Sequence, residues 1–345
     1  MLDQLTHDLA ASRHLPAEQI RSAVEQLVDE SVPAATKAAF LSALAIKGET
    51  VQEISAFASA LREKSIVPPI DEETRSCEIL DVCGTGGDQL NTFNISTTVA
   101  ILCAAAGVAV AKHGNRAVTS KSGSADVLEA LGIRVDLSPA EAAQALREHH
   151  FAFFFAPNFH PAFKHIAPAR KLCAERGQRT IFNFLGPLLN PAQPSAQLMG
   201  VPRPELCEPL AQVLQSLGIR RGMVVSGKVG DANLDELSTL GENTIAEFYQ
   251  ERGFTVSILS PEQFPIQPAS LADLAGGDRQ ANAEIIRRLL RGDERGPKRD
   301  AVLFNSAAAL FVAGQVRTLA DGWERAAELI DSGAAAKKLE KLSGI

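Results

Sequence analysis

A glycine-rich stretch near residue 85 has the residue types that proteins use to bind phosphate. It reads Gly84-Thr85-Gly86-Gly87-Asp88, follows an apolar run, and leads into Asn94-Ile95-Ser96-Thr97. Glycines at this density leave backbone N–H groups uncovered, so such a loop can wrap an anion with main-chain donors. We expect Ser96 or Thr97 to cap the next helix, whose N-terminus attracts phosphate. Taken alone, the stretch also fits an ordinary tight turn between strand and helix.

A second stretch, residues 112–124, follows the next apolar run and is basic. It reads Lys-His-Gly-Asn-Arg-Ala-Val-Thr-Ser-Lys-Ser-Gly-Ser, with three cations, four hydroxyl groups and two glycines in 13 residues of a chain whose net charge is −7. Cations supply charge and hydroxyls supply directed hydrogen bonds, which suits a multiply charged phosphate ester. We expect Ser124 to cap the helix that follows. A solvated polar loop is the alternative.

Three further positions could bind a metal or a second substrate. Asp235 and Glu236 are adjacent carboxylates in a loop after an apolar run, and oxygen ligands of this kind suit Mg²⁺. A solvated acidic turn is the alternative. Arg170 could bind a carboxylate bidentately or form a salt bridge. His160 precedes Pro161 at a predicted helix start, where histidine is more often a capping or packing residue.

Composition restricts the class of protein. The chain has 345 residues, 46% of them hydrophobic, and an acidic balance that argues against broad nucleic-acid binding. Its five cysteines are scattered without zinc-site spacing, which is typical of reduced thiols in a cytoplasmic protein. The longest uncharged apolar run, Val99–Ala111, is shorter than the roughly 17–25 residues that span a bilayer. We therefore expect a cytoplasmic protein without membrane contact.

Alternating strands and helices must position these groups. Residues 1–65 predict helices, starting after Pro16 and capped at Thr50, and the proline-rich, acidic stretch 66–76 predicts a linker that cannot continue a helix. The predicted strands are Glu78–Cys83, Gly107–Lys112, Phe151–Phe155, Gln197–Val201, Met223–Ser226, Thr244–Phe248 and Thr255–Leu259. The predicted helices between them are Thr97–Ala106, Ala125–Leu131, Pro139–His149, Phe163–Arg176 and Pro204–Leu217.

This alternation predicts an α/β fold with a smaller all-α domain and a mostly parallel central sheet flanked by helices. We assign residues 1–70 to an N-terminal helical domain, with a return segment near 163–190, and residues 71–345 to the α/β domain. In a parallel sheet, loops at the carboxyl ends of the strands lie side by side and form the ligand crevice. The two phosphate loops should therefore meet in a cleft between the domains.

The motifs GTGGD, NIST, KHGNRA and KSGSADVLEALG resemble the anthranilate phosphoribosyltransferase family of tryptophan biosynthesis. The resemblance continues through HPAFKHIAPAR (160–170), RTIFNFLGPLLNP (179–191) and LDELS (234–238). It implies a pentosyltransferase that moves the 5-phosphoribosyl group from 5-phosphoribosyl 1-diphosphate to the amine of anthranilate and releases diphosphate. It also implies two Mg²⁺ ions and a homodimer.

The resemblance also implies residue roles. The metal ligands would be Ser96, Asp235 and Glu236, and the catalytic residues Lys112, His113 and Arg170. Anthranilate contacts would fall on Gly84, Asn115, His160 and Arg170. The substrate-binding residues would be Gly84, Thr85, Gly87, Asp88, Thr92, Asn94, Ile95, Ser96, Thr97, Lys112, His113, Gly114, Asn115, Arg116, Ala117, Val118, Thr119, Ser120, Ser124, His160 and Arg170. Many relatives carry glycine after GTGGD, where this chain has Gln89, Leu90 and Asn91.

Three other functions fit parts of this pattern. A related phosphoribosyltransferase could use another aromatic amine. A pyrimidine-nucleoside phosphorylase shares the fold and the glycine-rich phosphate loops, but it uses inorganic phosphate and needs no acidic metal pair. A non-catalytic, nucleic-acid-binding relative is disfavoured by the acidic charge balance.

Overall fold

Amphipathic helices form the first part of the chain. In the computed structural model, which describes residues 1–117, 121–250 and 252–344, they are α1 (Leu2–Ala10), α2 (Ala17–Val28), α3 (Ala34–Lys47) and α4 (Val51–Arg62). α4 begins with the predicted cap, because Thr50 Oγ1 accepts from the Glu53 N–H at 3.2 Å and Glu53 accepts from the Thr50 N–H at 2.9 Å. α1 is additional to the helices predicted after Pro16.

The preceding helix does not continue into the linker, as predicted, but the last residues of the linker form a helix that the sequence did not predict. Asp71 caps a short helix, α5 (Glu72–Ser76), by accepting a hydrogen bond from the Thr74 N–H. α4 ends at Arg62, before the prolines at positions 68 and 69, and the acidic run begins a helix of its own. Acidic side chains in the first turn favour this start, because they face the positive end of the helix dipole.

One twisted sheet forms the centre of the rest of the chain. Its strands are β1 (Ile79–Gly84), β2 (Ala109–Gly114), β3 (Phe151–Phe155), β4 (Ala196–Gly200), β5 (Arg221–Val229), β6 (Ala232–Leu234), β7 (Asn243–Tyr249) and β8 (Gly253–Leu259). The order is β3-β2-β1-β4-β5-β7-β8, with β6 also paired to β5. The first five strands in this order are parallel and the other pairings are antiparallel. The predicted, mostly parallel sheet is confirmed, and β6 is a short strand that the sequence did not predict.

Helices cover both faces of the sheet. They are α6 (Ile95–Ala105), α7 (Ser124–Ala130), α8 (Pro139–His149), α9 (Ala156–Phe159), α10 (Ala167–Glu175), α11 (Phe182–Leu185), α12 (Cys207–Ser216), α13 (Arg279–Arg291), α14 (Pro297–Val312), α15 (Leu319–Asp331) and α16 (Ala334–Ser343). Among the described residues, none of the helices is long and apolar enough to cross a membrane.

Two predicted helices are interrupted near prolines. In place of the predicted helix Phe163–Arg176, the structure has a 3-10 helix, Pro161–His165, followed by α10. In place of the predicted helix Pro204–Leu217, it has a 3-10 helix, Pro204–Leu206, followed by α12. Pro168 lies at the start of α10, where a missing N–H costs nothing, so the proline restarts a helix instead of lying inside one.

The N-terminal helices share a core with one face of the sheet. Buried residues of α2, α3 and α4 cluster with those of α10 and α12 and with the sheet residues Val224 and Phe248. The other face packs on α6 and α14 in a separate core. The helical part therefore leans on the α/β part as expected, although the division of the chain at residue 70 stays a prediction.

Candidate active site

The carboxyl ends of two neighbouring strands form the floor of the site. β1 ends at Gly84 and β4 ends at Gly200, and the two glycines are partners in the parallel register. The loop that carries Asp235 crosses both strand ends, and a Cβ atom on either glycine would overlap Asp235. Because glycine alone allows this close approach, the two positions let a distant carboxylate reach the first loop.

The first loop binds that carboxylate through its main chain. The Gly86 N–H donates a 2.6 Å hydrogen bond to Asp235 Oδ2. Gly86 and Gly87 have positive φ angles and open space where a side chain would lie. Thr85 continues the sheet, since its N–H donates to the Gly200 carbonyl oxygen at 2.9 Å. The main chain of the loop is therefore uncovered, which is what an anion-binding loop needs.

The prediction that Ser96 or Thr97 caps the next helix is wrong. α6 begins at Ile95, and Asn94 holds the cap position without a side-chain cap bond. Ser96 lies in the first turn, where its N–H donates to Glu236 Oε1 at 3.2 Å. The helix N-terminus thus already faces a carboxylate, as its dipole favours. Ile95 and Thr97, in the same turn, are buried.

Carboxyl groups from separate segments share the space between these loops. Burial, together with the charges of Asp88 and Glu236, raises the pKa of Asp235 well above its usual value. Burial also raises the pKa of Glu236, and the nearby Lys112 ammonium opposes that rise. Like charges disfavour ionisation of each other, so a cation bound between them would be stabilised.

The oxygen atoms of this cluster fit Mg²⁺. Asp235 and Glu236 carboxylates and the Ser96 hydroxyl are hard ligands of the kind this ion prefers. In the described part of the chain, no group of three or more His, Cys, Asp or Glu side chains is arranged to hold a metal by itself. Mg²⁺ usually retains waters or binds substrate phosphates, so a partial protein ligand set is compatible with it.

Lys112 is buried beneath the first loop. It is 2% exposed, and its Nζ donates to the Val82 carbonyl oxygen at 2.7 Å and to Ser96 Oγ at 3.4 Å. Its ammonium therefore acts on the site from below, through Ser96 and the neighbouring carboxyl groups.

Asp126 ties together the two ends of the second loop. One carboxylate oxygen, Oδ2, accepts from the N–H groups of Ala117 and Gly123, each at 2.9 Å. The ends lie so close that a Cβ on Gly123 would overlap the main chain of Ala117. The prediction that Ser124 caps the helix is wrong, because α7 begins at Ser124 and Gly123 holds the cap position. The predicted contacts at Val118, Thr119 and Ser120 lie outside the described residues.

The Arg116 guanidinium is directed toward the helix that follows. It pairs with Glu129 at 2.6 Å and with Asp126 at 3.4 Å, and it lies 5.6 Å from the Phe155 ring centroid. The backbone N–H of Arg116 donates to Oδ1 of the exposed Asn115 at 2.8 Å. If this guanidinium bound a phosphate, it would do so while it is also paired with two carboxylates.

Gly114, in the same loop, permits a close approach of two segments. A Cβ on Gly114 would overlap Ser124 Oγ.

Asn94 connects the two loops. Its Nδ2 donates to the Ser122 carbonyl oxygen at 3.2 Å, and its Oδ1 accepts from Asn282 at 2.9 Å. Nearby, Thr92 forms a β-bridge with Ala275. The segment between the first loop and α6 is therefore connected to the second loop, to α13 and to the segment that leads into α13.

Gln89 and Asn91 both adopt left-handed backbone conformations, with φ of 60° and 53°. Asn tolerates this conformation, whereas Gln does so at a cost because of its Cβ. The Leu90 N–H donates to Asp88 Oδ1 at 3.3 Å and closes the turn. The turn therefore has a left-handed backbone that glycine would adopt without this cost.

A row of ring contacts leads from the end of β2 to Arg170. His113 meets His160 edge to face with centroids 5.3 Å apart, and His160 stacks on Phe163 at 5.0 Å. Phe163 meets Phe182 at 5.9 Å, and Arg170 Cζ lies 5.1 Å from the Phe182 centroid. The structure therefore brings the predicted acceptor residues His160 and Arg170 onto one aromatic surface. His160 packs here and caps no helix through its side chain.

Arg170 has the freedom to bind a ligand. It lies in α10 and is exposed, and among the ion pairs of the described residues it has no carboxylate partner. A guanidinium held by an aromatic ring, with its hydrogen-bond donors uncommitted, suits a planar carboxylate.

Sequence reasoning missed residues that support the site from below. Asp81 and Gln197 are polar residues inside apolar strands, and Asn190 follows the last leucine of the RTIFNFLGPLLNP motif; all three are fully buried. The signal was present, because a buried polar group must find a hydrogen-bond partner. The sequence does not reveal which partner it finds.

Two family profiles match the chain. "Glycosyl transferase family, a/b domain" matches residues 76–336, and "Glycosyl transferase family, helical bundle domain" matches residues 3–65. The first alone spans more than half of the chain, so fold and site together define a glycosyl transferase.

Individual relatives narrow this class. The anthranilate phosphoribosyltransferase of Petrotoga mobilis is 46% identical over 342 residues, covering 99% of this chain and 96% of the relative. The crystal structure of the Thermus thermophilus enzyme of that name superposes with a TM-score of 0.89 at 40% identity, covering 99% and 98% of the two chains. The structure of the Saccharomyces cerevisiae enzyme in complex with PRPP and Mg superposes with a TM-score of 0.87 at 27% identity, covering 100% of this chain and 98% of the yeast chain. The chain belongs to the anthranilate phosphoribosyltransferase family.

The buried histidine pair predicts a pH dependence of stability. Burial lowers the pKa of His113 to about 3 and that of His160 to about 4. Both are neutral at pH 7, whereas in the unfolded chain they titrate near a pKa of about 6.5. The unfolded state binds more protons between these values, so the free energy of unfolding should fall as pH drops from about 6.5 toward 4.

Denaturant titrations between about pH 7.5 and 4.5, which brackets the unfolded-state pKa, measure this slope. We expect a smaller slope for His160→Gln than for the wild type, and an unchanged slope for the control His7→Gln, since His7 is exposed. Equal slopes for wild type and His160→Gln would contradict a neutral buried pair.

Proposed function

We propose that the protein transfers the 5-phosphoribosyl group from 5-phosphoribosyl 1-diphosphate to the amine of anthranilate, giving N-(5-phosphoribosyl)anthranilate and diphosphate in tryptophan biosynthesis. The observation that carries this proposal is the meeting of two phosphate-type loops with a carboxylate pair from residues 235 and 236. The Gly86–Asp235 and Ser96–Glu236 hydrogen bonds join these segments. Family membership supports the same reaction.

The donor would lie on the uncovered main chain of the first loop. Its diphosphate would meet the N–H groups of Gly86 and Gly87, the first turn of α6 and the hydroxyl-rich second loop. The C1–O bond breaks as negative charge grows on the leaving diphosphate. Donors that are fixed before the reaction stabilise such charge without reorganising. Lys112 adds a buried positive charge beneath Ser96.

Ser96, Asp235 and Glu236 would hold Mg²⁺, and we propose two ions. When bound, the metal supplies positive charge that neutralises the diphosphate as it leaves. Support comes from the raised pKa values of both carboxyl groups, which are expected where buried acids lack a compensating cation. The yeast relative in complex with PRPP and Mg supports the same assignment.

The acceptor would lie against the ring row, with its carboxylate on Arg170. Its amine attacks C1 of the ribose and afterwards loses a proton. An aromatic amine is a weak nucleophile, so correct placement near C1 contributes up to about 7–11 kcal/mol. We assign no protein general base: the low pKa values make His113 and His160 poor proton acceptors at neutral pH. The carboxylate of the acceptor is adjacent to its own amine.

The acidic pair argues against the phosphorylase alternative, which needs no metal carboxylates. We further propose a cytoplasmic homodimer formed through the helical domain of residues 1–70 and the return segment near 163–190. Lys37 of α3 supports the inclusion of the return segment, since its Nζ donates to the His165 carbonyl oxygen at 2.9 Å and links the two segments.

Loss of anthranilate fluorescence on addition of 5-phosphoribosyl 1-diphosphate and Mg²⁺ tests the function. We expect turnover with anthranilate and none with uridine or thymidine plus phosphate. Other aromatic amines, assayed for diphosphate release, test the alternative acceptor. Turnover of another amine with a higher kcat/KM than anthranilate would overturn the assigned substrate.

Arg170→Ala should raise the KM for anthranilate by about 10- to 100-fold, the range for one lost hydrogen bond to a charged group, with little change in donor KM. Arg176→Ala is the matched control, because Arg176 is an exposed arginine just after α10. Equal changes in both KM values would count against the acceptor role.

Asp235→Asn combined with Glu236→Gln should abolish Mg²⁺-dependent turnover and leave the fold intact. Removal of two repelling buried acids should also keep or raise the melting temperature without metal. Added donor and Mg²⁺ should raise the melting temperature of the wild type and not that of the variant. Retained turnover in the variant would exclude the metal role of this pair.

A further inference from the structure

Side chains from the sheet and from α4 and α5 bind the main chain of the segment from Pro187 to Ala192. Gln197 Nε2 donates to the Pro187 carbonyl oxygen at 2.8 Å, and Arg62 Nε donates to that of Leu188 at 2.6 Å. Arg75 donates to the Ala192 carbonyl oxygen at 2.5 Å. We call residues 186–192 the tethered segment. It follows α11, which carries Phe182 of the ring row.

Asn190 connects the tethered segment to two strands of the sheet. Its Nδ2 donates to Asp81 Oδ2 at 2.9 Å and to the Ala111 carbonyl oxygen at 2.7 Å, while its Oδ1 accepts from the Ala192 N–H at 3.0 Å. Asn190 thus spans from the tethered segment to β1 and β2 at once. All of its polar atoms are used, and the side chain is fully buried.

Asp81 connects the same point to the donor side. It lies in β1, three residues before Gly84, and its Oδ1 accepts from the His113 N–H in β2 at 3.5 Å. Its charge also faces the ammonium of Lys112 and the guanidinium of Arg62. One buried carboxylate therefore contacts the strand that carries Lys112 and His113, and through Asn190 it contacts the segment below the acceptor surface.

The acceptor surface depends on the tethered segment directly. Leu188 and Leu189 of this segment lie in the same buried core as the Phe182 ring, and the Phe163 ring packs against that core. A shift of this segment would move both rings. Since Asp81 holds the segment and the end of β2 together, the two rings keep their places relative to the donor loops.

We propose that the Asp81–Asn190 pair is a positioning unit that fixes the acceptor surface and the donor loops in one frame, so that damage on either side reaches both substrates. This inference rests on the proposed function. Neither residue of the pair touches a substrate. Arg170 is different, because its loss should weaken binding of the acceptor alone.

If the pair had a purely structural role, its substitution would lower the stability of the protein without changing both substrate sites together. A matched control is Leu329→Ala in α15, which removes a buried side chain from the core on the other face of the sheet. It should lose comparable stability and leave both substrate constants unchanged. Asp81→Asn and Asn190→Ala are the test variants. The first leaves one acceptor oxygen where Asp81 uses two, and the second removes the donor of the 2.9 Å hydrogen bond.

The first measurement is hydrogen–deuterium exchange of the ligand-free proteins. We expect Asn190→Ala to accelerate amide exchange in residues 110–117 as well as in 186–192, and Asp81→Asn to do the same. Faster exchange confined to the segment that carries the substitution would overturn the proposal. This readout does not need turnover, so it holds or fails separately from the proposed function.

The second measurement is donor binding by calorimetry, with 5-phosphoribosyl 1-diphosphate and Mg²⁺ and no acceptor. Asn190→Ala, a change on the acceptor side, should raise the donor Kd by about 10-fold, a coupling of the size that is typical between two linked sites. A donor Kd within about twofold of wild type, below the usual scatter of additive effects, would overturn the proposal. An equal rise in Leu329→Ala would do so too. Absence of donor binding by the wild type would instead refute the proposed function.

Discussion

The site depends on a row of buried charges whose signs alternate. Arg62 faces Asp81, Asp81 faces Lys112, and Lys112 faces Glu236. Charges of this kind are costly to bury alone, and a neighbour of opposite sign reduces that cost. The row runs from the last residue of α4 to the acidic cluster, so the helical part and the metal side of the cleft are connected by electrostatics as well as by packing.

The sheet was predictable because its strands are apolar runs separated by helices with clear caps and stops. β1, β2 and β3 lie within two residues of their predicted bounds. β6 was not predictable from the sequence, because its three residues, Ala232–Leu234, show no local strand pattern. They are extended because they pair with β5. Cap positions also shifted: hydroxyl residues suggested caps at Ser96 and Ser124, but Asn94 and Gly123 precede the helices.

For the candidate site, the sequence indicated the types of residue and the structure adds their partners. The motifs predicted Ser96, Asp235 and Glu236 as metal ligands, and in the structure the N–H groups of Gly86 and Ser96 donate to the two carboxyl groups. Arg116 shows the limit of motif reasoning, because its guanidinium pairs with Glu129, thirteen residues later. The tie between Asp81 and Asn190 spans 109 positions, so it depends on the fold and no local spacing could reveal it.

The glycine at the end of β4 shows how a residue can be indispensable without binding anything. Gly200 has no assigned substrate contact, yet even a methyl group there would push the Asp235 main chain away from the strand ends. In a survey of tolerated substitutions, such a position would be as restricted as a ligand-binding residue. Intolerance to substitution at this edge of the sheet would therefore report a lack of space, and it would be mistaken for chemistry if the sequence were read without the fold.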